Sequence, residues 1–518
     1  MALANFFDKS VLNASQVLNE FEITEFESIL NSQYVGIAYD HSINNSKEGV
    51  KTLDLLIRIL ARLYPNLQII NICNSNTAVE TRLKNIALEI NPKINLSTEI
   101  SPTVCIIVGN SEHQPANCKC FYIGSKGWIF KLSTTAPVES GHSNNPLGAG
   151  AAACLGAANV FRYIFKDKLN NADNDSELCF SLFDFNTTEI NIENDYGDSI
   201  ENFQFGEATL VGIGAIGNAV LWTLRNIDSA TGRITVIDNE KISLTNLQRY
   251  VLTSQSNISP NEIYKVDLAK EQLKATKIKV MPIKLNWQEF FSQAKNKKSE
   301  KILVAVDSAK ARIEIQSGLP KKIFNSWTQL SELGTSSHLN FLDEKACLMC
   351  LYIPDRKVKS KSELISEALQ IPQYEPTVRK YLALNLPLDK SLLNIISLSI
   401  NASHEKLEAY IGKPLEIFYS EVVCGGVLMQ LAGKTIKQKQ IEVPTAFESA
   451  LAGILLVSEF IKDALGSTNI QESNKVRLNL LRQFNPKTIL DLELKRPHFK
   501  CICQDDDFTN SYKKKWNL

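Results

Sequence analysis

The stretch that decides the fold runs from Ala208 to Gly217 and reads Ala-Thr-Leu-Val-Gly-Ile-Gly-Ala-Ile-Gly. After a helical segment it is followed by Ile-Thr-Val-Ile-Asp, ending at Asp238. An apolar strand that enters spaced glycines, with an acid at the end of a second strand about 20 residues further on, is typical of a nucleotide-binding βαβ unit. The glycines leave room for a phosphate to approach the N-terminus of the following helix, because their backbone carries no Cβ. Taken alone, this pattern also fits a nicotinamide or flavin enzyme.

The residues downstream of Asp238 change that interpretation. They include Glu240, Asn246 and Arg249, and then Lys265 and, later, an aspartate at position 307. This order resembles the adenylating domain of ubiquitin-activating enzymes and of the ThiF-like adenylyltransferases that act on thiamine and molybdopterin sulfur carriers. That family has a glycine loop, two nearby acids, a Ser/Thr-Asn-Leu-x-Arg-Gln segment, a lysine and a later Mg-binding aspartate, in this sequence.

Three residues depart from the family pattern. Ala215 stands where the loop often has glycine, Glu240 replaces an aspartate, and Tyr250 replaces the usual glutamine. The resemblance covers about residues 205–355 and resumes near 420. It is closest to bacterial ubiquitin-like-protein activating enzymes that carry a fused, inactive adenylation half.

The composition is that of an ordinary globular protein. Of the 518 residues, 44% are hydrophobic and 22% are charged, and the length predicts about three domains. Lys+Arg and Asp+Glu number 56 each, so no bulk charge favours nucleic acid or an anionic membrane. We find no signal-peptide pattern, and we expect no spanning helix. These features predict a cytoplasmic protein whose 11 cysteines serve as metal ligands, a nucleophile and packing residues.

The alternation of strands and helices predicts an α/β fold with two Rossmann-like, doubly wound domains. The segment Asn145–Gly150 also contains Gly-x-Gly, but no apolar strand feeds it, so we interpret it as a site of tight packing. The predicted boundaries are an inactive adenylation domain at 1–185, a linker at 186–204, the active adenylation domain at 205–355, a helical insertion and crossover at 356–440, and the C-terminal part of the adenylation domain at 441–518.

The resemblance implies a role for each site residue. The loop of Gly212, Gly214 and Gly217 would hold phosphate oxygens, Asp238 the ribose hydroxyls, and Asp307 a Mg²⁺ ion. Arg249 and Lys265 would contact the phosphates, with Asn246 nearby and Glu240 reaching the metal or an arginine. The competing interpretations are that Asp307 caps the next helix and that Lys265 is an ordinary solvated lysine.

Cys424 is the candidate nucleophile. It lies in Glu-Val-Val-Cys-Gly-Gly (421–426), upstream of the last long helix, and resembles the crossover-loop cysteine of ubiquitin-activating enzymes. In that family the thiolate attacks the acyl adenylate and forms a thioester. The alternative is a cysteine buried among its apolar neighbours.

Two cysteine pairs resemble the structural zinc site of the family. Cys347 and Cys350 have two residues between them, whereas Cys501 and Cys503 have only one, where the family usually has two. That spacing strains a tetrahedral arrangement, so His498 is a candidate substitute ligand. The alternative is four packed or surface thiols.

These observations predict ATP-dependent adenylation of the C-terminal carboxylate of a ubiquitin-like protein, followed by thioester formation and transfer to a conjugating enzyme. The alternatives are adenylation of a sulfur carrier without a thioester, a dinucleotide-dependent dehydrogenase, and a non-catalytic scaffold. The fused half could make one chain sufficient, or the chain could form a homodimer. In the resembled family an arginine of the inactive half reaches the phosphates, and the candidates are Arg58, Arg62, Arg82 and Arg162.

Overall fold

The structure is a computed structural model. It describes residues 3–73, 77–188, 196–258, 262–293, 298–330, 332–353, 360–400, 407–419, 443–467, 473–484 and 490–518.

The first third of the chain alternates strands and helices. In chain order the elements are α1 (Phe7–Val17), α2 (Ile23–Ser32), β1 (Val35–Tyr39), α3 (Lys47–Leu60), β2 (Leu67–Asn71), α4 (Thr77–Ile90), β3 (Val104–Val108), β4 (Lys119–Lys126), β5 (Ile129–Ser133), α5 (Leu147–Ile164) and β6 (Glu177–Ser181).

The middle of the chain repeats this alternation. Its elements are β7 (Gln204–Val211), α6 (Ala215–Arg225), β8 (Thr231–Ile237), α7 (Lys265–Gln272), β9 (Lys277–Ile283), α8 (Trp287–Gln293), β10 (Lys301–Val304), α9 (Ala309–Ser317), β11 (Lys322–Thr328) and β12 (Leu333–His338).

The remainder begins with four helices and returns to the sheet. It comprises α10 (Lys361–Ala368), α11 (Glu375–Ala383), α12 (Lys390–Ile400), α13 (Leu415–Phe418), α14 (Ala446–Leu465), β13 (Lys475–Leu478), β14 (Asp491–Glu493) and α15 (Asp506–Trp516).

An eight-stranded sheet carries the candidate site. Its strand order is β14-β13-β12-β11-β10-β7-β8-β9, and the five strands from β11 to β9 are parallel. This is the doubly wound order, in which the direction of strand progression reverses between β7 and β10. Ligands bind at the carboxyl ends of the strands beside such a switch point.

A six-stranded sheet in the N-terminal part has the same design. Its order is β2-β1-β3-β4-β5-β6, with the first four strands parallel and the last two antiparallel. The six strands have the same order and directions as β8-β7-β10-β11-β12-β13 of the larger sheet. The larger sheet has one additional strand at each edge, β9 and β14. The prediction of an α/β fold with two Rossmann-like domains is confirmed.

Both sheets belong to one compact unit, formed by residues 29–353 and 444–518. Helices α5 and α14 pack against each other, with α3 on α5 and α6 on α14. Glycine makes this possible. A Cβ at Gly150 would lie 2.7 Å from Ile454 Cδ1, and one at Gly453 would lie 2.6 Å from the carbonyl oxygen of Ile216.

A second compact unit comprises residues 5–28 and 354–443. Within it the helices α10 to α13 enclose an apolar core that includes Ile365, Val378, Leu392, Ile396 and Phe418. The helical insertion predicted at 356–440 thus falls inside this unit. The sequence predicted two separate adenylation domains, whereas in the structure both α/β halves lie in one compact unit. The exact sequence-based boundaries stay predictions.

One of the described helices has the length and hydropathy of a membrane span. This is α5, whose 18 residues have a mean hydropathy of 1.2, and 89% of them are buried inside the protein. The expectation of no spanning helix stays a prediction. Because α5 packs between a sheet and other helices, its apolar character is explained by burial in the protein.

The start of α14 contains a buried acid that makes stability depend on pH. Glu448 is 1% exposed, and its carboxylate accepts hydrogen bonds from the backbone N–H and hydroxyl of Thr445, each at 2.9 Å. Burial raises the pKa of Glu448 from 4.5 to about 7, against the opposing effect of these hydrogen bonds. Between these two pH values the folded chain holds a proton that the unfolded chain has lost.

We therefore expect Glu448 to contribute to the free energy of unfolding below about pH 4.5. This contribution should be lost as pH rises towards 7, a change of about 3 kcal/mol. Denaturant unfolding across this range should show that wild type loses stability relative to Glu448→Gln. Glu89→Gln, at an exposed position, is the control and should follow wild type. Parallel curves for wild type and Glu448→Gln would contradict the assignment.

Candidate functional site

The glycine loop joins β7 to α6 at the switch point. Gly212 has φ +92°, and a Cβ there would lie 2.6 Å from the carbonyl oxygen of Ala305, next to β10. A Cβ at Gly217 would lie 2.3 Å from the carbonyl oxygen of Gly212, whereas Gly214 forms the N-cap of α6. The loop is therefore held tightly over the helix N-terminus, whose first N–H groups have no partner within the helix and suit an anion.

Asp238 lies directly after β8 and is hydrogen-bonded to this loop. One carboxylate oxygen accepts from the backbone N–H of Ile213 at 2.8 Å, and the other accepts from that of Glu240 at 2.9 Å. Burial raises the pKa of Asp238, although Lys265 and the two N–H donors act in the opposite direction. A fixed carboxylate at this point has further lone pairs available for two adjacent hydroxyls, as ribose binding requires.

Lys265 is buried beside this carboxylate. It is 4% exposed, its ammonium forms an ion pair with Glu240, and it lies 5.4 Å from the centroid of the Tyr250 ring. Burial opposes its charge, but Tyr250, Asp238 and Glu240 together raise the pKa of Lys265 above its usual value. The interpretation of Lys265 as a solvated lysine is wrong, and Glu240 is placed as its partner.

The segment after Glu240 forms a 3₁₀ turn over Leu244–Gln248. The side-chain oxygen of Asn246 accepts from the backbone N–H of Ser243 at 2.9 Å, so this residue shapes the turn. Arg249 is half-buried, and its guanidinium lies 5.8 Å from the Tyr250 ring centroid. The departure to tyrosine thus places an aromatic ring beside two cations. The phosphate contacts of Asn246 and Arg249 stay predictions.

Asp307 lies beyond the end of β10, which pairs with β7 through Val304 and Val211. It is exposed at the carboxyl edge of the sheet, on the strand next to the glycine loop. The cap of α9 is Ser308, whose hydroxyl accepts from the N–H of Ala311 at 3.1 Å. Helix capping therefore does not explain Asp307, which remains the candidate Mg²⁺ ligand.

Arg312 is a site residue that the sequence analysis missed. Its buried guanidinium donates to the carbonyl oxygen of Val306 at 2.6 Å and to the side-chain oxygen of Asn325 at 3.0 Å. It lies 4.9 Å from the ring of Tyr352. These contacts hold the backbone immediately before Asp307. The available signal was an arginine on the buried face of α9.

Two of the candidate arginines reach the C-terminal half, but through its backbone. Arg62 is 2% exposed and donates to the carbonyl oxygens of Leu247 and, at 2.8 Å, Thr253. Arg58 donates to Val251 at 3.3 Å. The acceptors flank Arg249, so hydrogen bonds from Arg58 and Arg62 of the N-terminal half hold the backbone of the loop that carries Arg249. The other two pair with acids of their own half, Arg82 with Asp54 and Arg162 with Asp175.

We expect Arg62→Met to lower adenylation by about 10-fold or more, because the loop that positions Arg249 loses two charge-assisted hydrogen bonds worth roughly 1.5–3 kcal/mol each. The reduction should appear in kcat rather than only in the KM for ATP. Arg82→Ala, which removes an arginine that is 52% exposed, is the control and should remain near wild type. Equal activities of the two variants would show that the hydrogen bonds from Arg62 to this loop have no functional effect.

Four cysteines converge, two from the segment after β12 and two from the segment before α15. Sulfur–sulfur distances are 3.8 Å for Cys347–Cys350, 3.4 Å for Cys347–Cys501 and 3.5 Å for Cys350–Cys503. A tetrahedral zinc with Zn–S bonds of 2.3 Å separates its ligands by about 3.8 Å, so the set fits this ion. The N–H of His498 donates to Cys350 Sγ at 3.3 Å, so its contact with the cluster is through the backbone.

The zinc prediction therefore agrees with the geometry in its choice of cysteines, and the one-residue spacing of Cys501 and Cys503 is compatible with convergence. Hydrogen bonds among the four sulfurs raise the pKa of Cys347 and lower that of Cys350, so the thiols of the cluster share their protons. A divalent cation would replace these protons, because it stabilises thiolates. Cys424, the candidate nucleophile, lies outside the described residues.

Comparison with known proteins gives two family matches. The ThiF family model matches residues 186–503, and the model of prokaryotic E2 family C matches residues 38–166. The N-terminal half is therefore E2-like by sequence, whereas its strand order repeats that of the C-terminal half. Its interpretation as an inactive adenylation half stays a prediction, and the shared strand order agrees with it.

Individual proteins are also similar. Uncharacterized protein y4jF of Sinorhizobium fredii (strain NBRC 101917 / NGR234) is 38% identical over 516 residues, covering 100% of this chain and 98% of its own length. Escherichia coli MccB in complex with MccA-N7isoASN superposes with a TM-score of 0.35 at 15% identity. The aligned region covers 57% of this chain and 66% of MccB, just under two thirds. The microcin C7 biosynthetic enzyme MccB in complex with N-formylated MccA superposes with a TM-score of 0.35 at 15% identity. The aligned region covers 57% of this chain and 67% of that enzyme.

The matched region begins before β7 and ends at Cys503, so it includes the glycine loop, Asp238, Lys265, Asp307 and all four clustered cysteines. It spans more than half of the sequence and coincides with the doubly wound sheet and its switch-point site. The chain is a member of the ThiF family of adenylating enzymes.

Proposed function

We propose that this chain uses ATP to adenylate the C-terminal carboxylate of a ubiquitin-like protein, carries the product as a thioester on Cys424, and passes it to a conjugating enzyme. Membership of the ThiF family supports the first part, ATP-dependent adenylation of a carboxylate. The identity of the substrate as a ubiquitin-like protein and the thioester are our extension.

The observation that carries the proposal is the arrangement of charges at the switch point. Asp238 is hydrogen-bonded to the glycine loop, and Lys265 is buried beside Asp238. Asp307 is exposed just beyond the end of the neighbouring strand. A carboxylate and a triphosphate repel each other, so their reaction requires cations held in place before they meet. A dehydrogenase would need the same loop but has no use for the lysine and the second aspartate.

The residues divide the work as follows. N–H groups at the start of α6 and the ammonium of Lys265 would neutralise phosphate oxygens, while Asp238 holds the ribose. Mg²⁺ bound through Asp307 would add positive charge between phosphate oxygens. An oxygen of the substrate carboxylate attacks the α-phosphorus, the bond to the bridging oxygen breaks, and pyrophosphate leaves. The Cys424 thiolate then attacks the acyl carbon and AMP leaves.

The test is ATP–pyrophosphate exchange with a ubiquitin-like protein as the carboxylate substrate. Wild type should exchange label and form an adduct that thiol reagents release. Cys424→Ala should keep the exchange and lose the adduct, whereas Cys118→Ala, a control at a half-buried thiol, should keep both. Absence of exchange in wild type would overturn the proposal. Exchange without an adduct in wild type would support transfer to a sulfur donor instead.

A further inference from the structure

The N-terminus of α6 lies beside the ring of Tyr250. The N-cap of this helix is Gly214, which has no side chain to accept hydrogen bonds from the first N–H groups of the helix. A Cβ at Gly214 would lie 3.6 Å from Tyr250 Oη, which is the only side-chain atom of the described residues within 4 Å of that position, chain neighbours aside. The hydroxyl of Tyr250 therefore shares the space in front of this helix end.

This hydroxyl is buried without a partner. Tyr250 is 4% exposed, and its hydroxyl forms no hydrogen bond with any residue that the structure describes. A buried phenolic O–H usually finds an acceptor, because leaving the group unpaired costs free energy. The N–H groups of α6 and the Tyr250 hydroxyl are thus donors that face one place, and an acceptor-rich ligand would satisfy both.

The backbone that carries this ring is fixed. The N–H of Tyr250 donates to the carbonyl oxygen of Asn246 at 3.0 Å, and its own carbonyl oxygen accepts from the N–H and hydroxyl of Thr253 at 3.0 and 2.7 Å. The carbonyl oxygen of Thr253 in turn accepts from Arg62 at 2.8 Å. The hydroxyl is therefore positioned before a ligand binds, which lowers the entropic cost of a contact with it.

Positive charge surrounds the same ring. The ammonium of Lys265 lies 5.4 Å from the ring centroid, and the guanidinium carbon of Arg249 lies 5.8 Å from it. Two cations, a helix N-terminus and an unpaired O–H donor meet around one side chain. A phosphate group carries both the negative charge and the several acceptor oxygens that such a set can bind.

We propose that the hydroxyl of Tyr250 donates a hydrogen bond to a phosphate oxygen of ATP held at the N-terminus of α6. This inference rests on the use of ATP in the proposed function, and it does not depend on which carboxylate is adenylated. The resembled family usually has a glutamine at this position, so the contact belongs to the departure of this chain from the family pattern. A phenol on a rigid ring loses less conformational entropy than the amide of a flexible glutamine.

The experiment measures binding of radiolabelled ATP with Mg²⁺, and separately of radiolabelled adenosine, to the full-length chain by equilibrium dialysis. Tyr250→Phe removes the hydroxyl and keeps the ring between the two cations. We expect its affinity for ATP to fall about 10-fold or more, because a hydrogen bond to a charged group is lost. Its affinity for adenosine, which has no phosphate, and its melting temperature should equal those of wild type.

Tyr264→Phe is the matched control. The ring of Tyr264 also lies beside two cations, at 5.4 Å from the ammonium of Lys241 and 4.5 Å from that of Lys284, but its hydroxyl does not face Gly214. This variant should bind ATP as wild type does.

Two results would overturn the inference. One is a wild-type affinity for ATP in Tyr250→Phe, and the other is an equal loss of affinity for ATP and adenosine, which would give the hydroxyl a purely structural role. Neither measurement needs a carboxylate substrate or Cys424. Absence of pyrophosphate exchange in wild type, with ATP binding still dependent on the Tyr250 hydroxyl, would therefore refute the proposed function and leave this inference standing.

Discussion

Asp307→Ala should lower ATP–pyrophosphate exchange by about 100-fold or more and leave the melting temperature close to that of wild type. The side chain is exposed at the carboxyl edge of the sheet, and Ser308, not Asp307, caps the next helix. Its removal therefore costs the fold little. The reaction, however, would lose the carboxylate that we propose holds Mg²⁺ beside two repelling anions.

The matched control is Asp228→Ala, which removes an aspartate that is 64% exposed and pairs weakly with Lys47. It should retain full exchange. A titration with Mg²⁺ adds a second readout, because loss of a metal ligand should raise the Mg²⁺ concentration needed for the residual activity. Asp307→Ala with wild-type exchange and wild-type Mg²⁺ dependence would remove the basis for metal-assisted adenylation at this edge.

The second large effect concerns the cysteine cluster. Cys347→Ser should remove bound zinc and destabilise the chain by several kcal/mol, since structural zinc sites contribute roughly 10–16 kcal/mol of binding energy at neutral pH. The reason is the position of the ligands: two precede the helical insertion, and two lie in the C-terminal segment. An ion held by all four sulfurs would join these distant segments, and Leu319 and Tyr512 pack in the same cluster.

Elemental analysis should find one zinc per wild-type chain and less than one in the variant, and chelator treatment of wild type should lower its melting temperature to that of the variant. Cys73→Ser is the control, because its thiol is exposed and lies outside the four-cysteine cluster. A wild-type chain that contains no zinc after expression in zinc-replete medium, with unchanged stability in Cys347→Ser, would identify the cluster as packed thiols.

Much of the C-terminal half was predictable from local patterns. The apolar strand before Gly212 and the strand that leads to Asp238 each depend on neighbouring residues, and the structure contains both as β7 and β8. The cysteine pairs were predicted from their resemblance to the structural zinc site of the family. The single intervening residue at Cys501 suggested strain, but the structure brings all four sulfurs together.

The partners of individual site residues were not predictable. Lys265 was open to interpretation as a solvated lysine until its burial against Glu240 and Tyr250 was seen. Arg62 and Arg312 act on backbone carbonyls, which carry no sequence signature. Such contacts form only when the chain has folded.

The order and short-range spacing of residues along the chain were enough to predict the family, the two-sheet α/β class and the residue types available at the nucleotide loop. Only in the folded chain do the two halves form one compact unit, and only there does Arg62 of the N-terminal half contact the backbone of the loop that carries Arg249. Parallel strands separated by a crossover align their carboxyl ends at one edge, and this alignment brings together residues that are far apart in the chain.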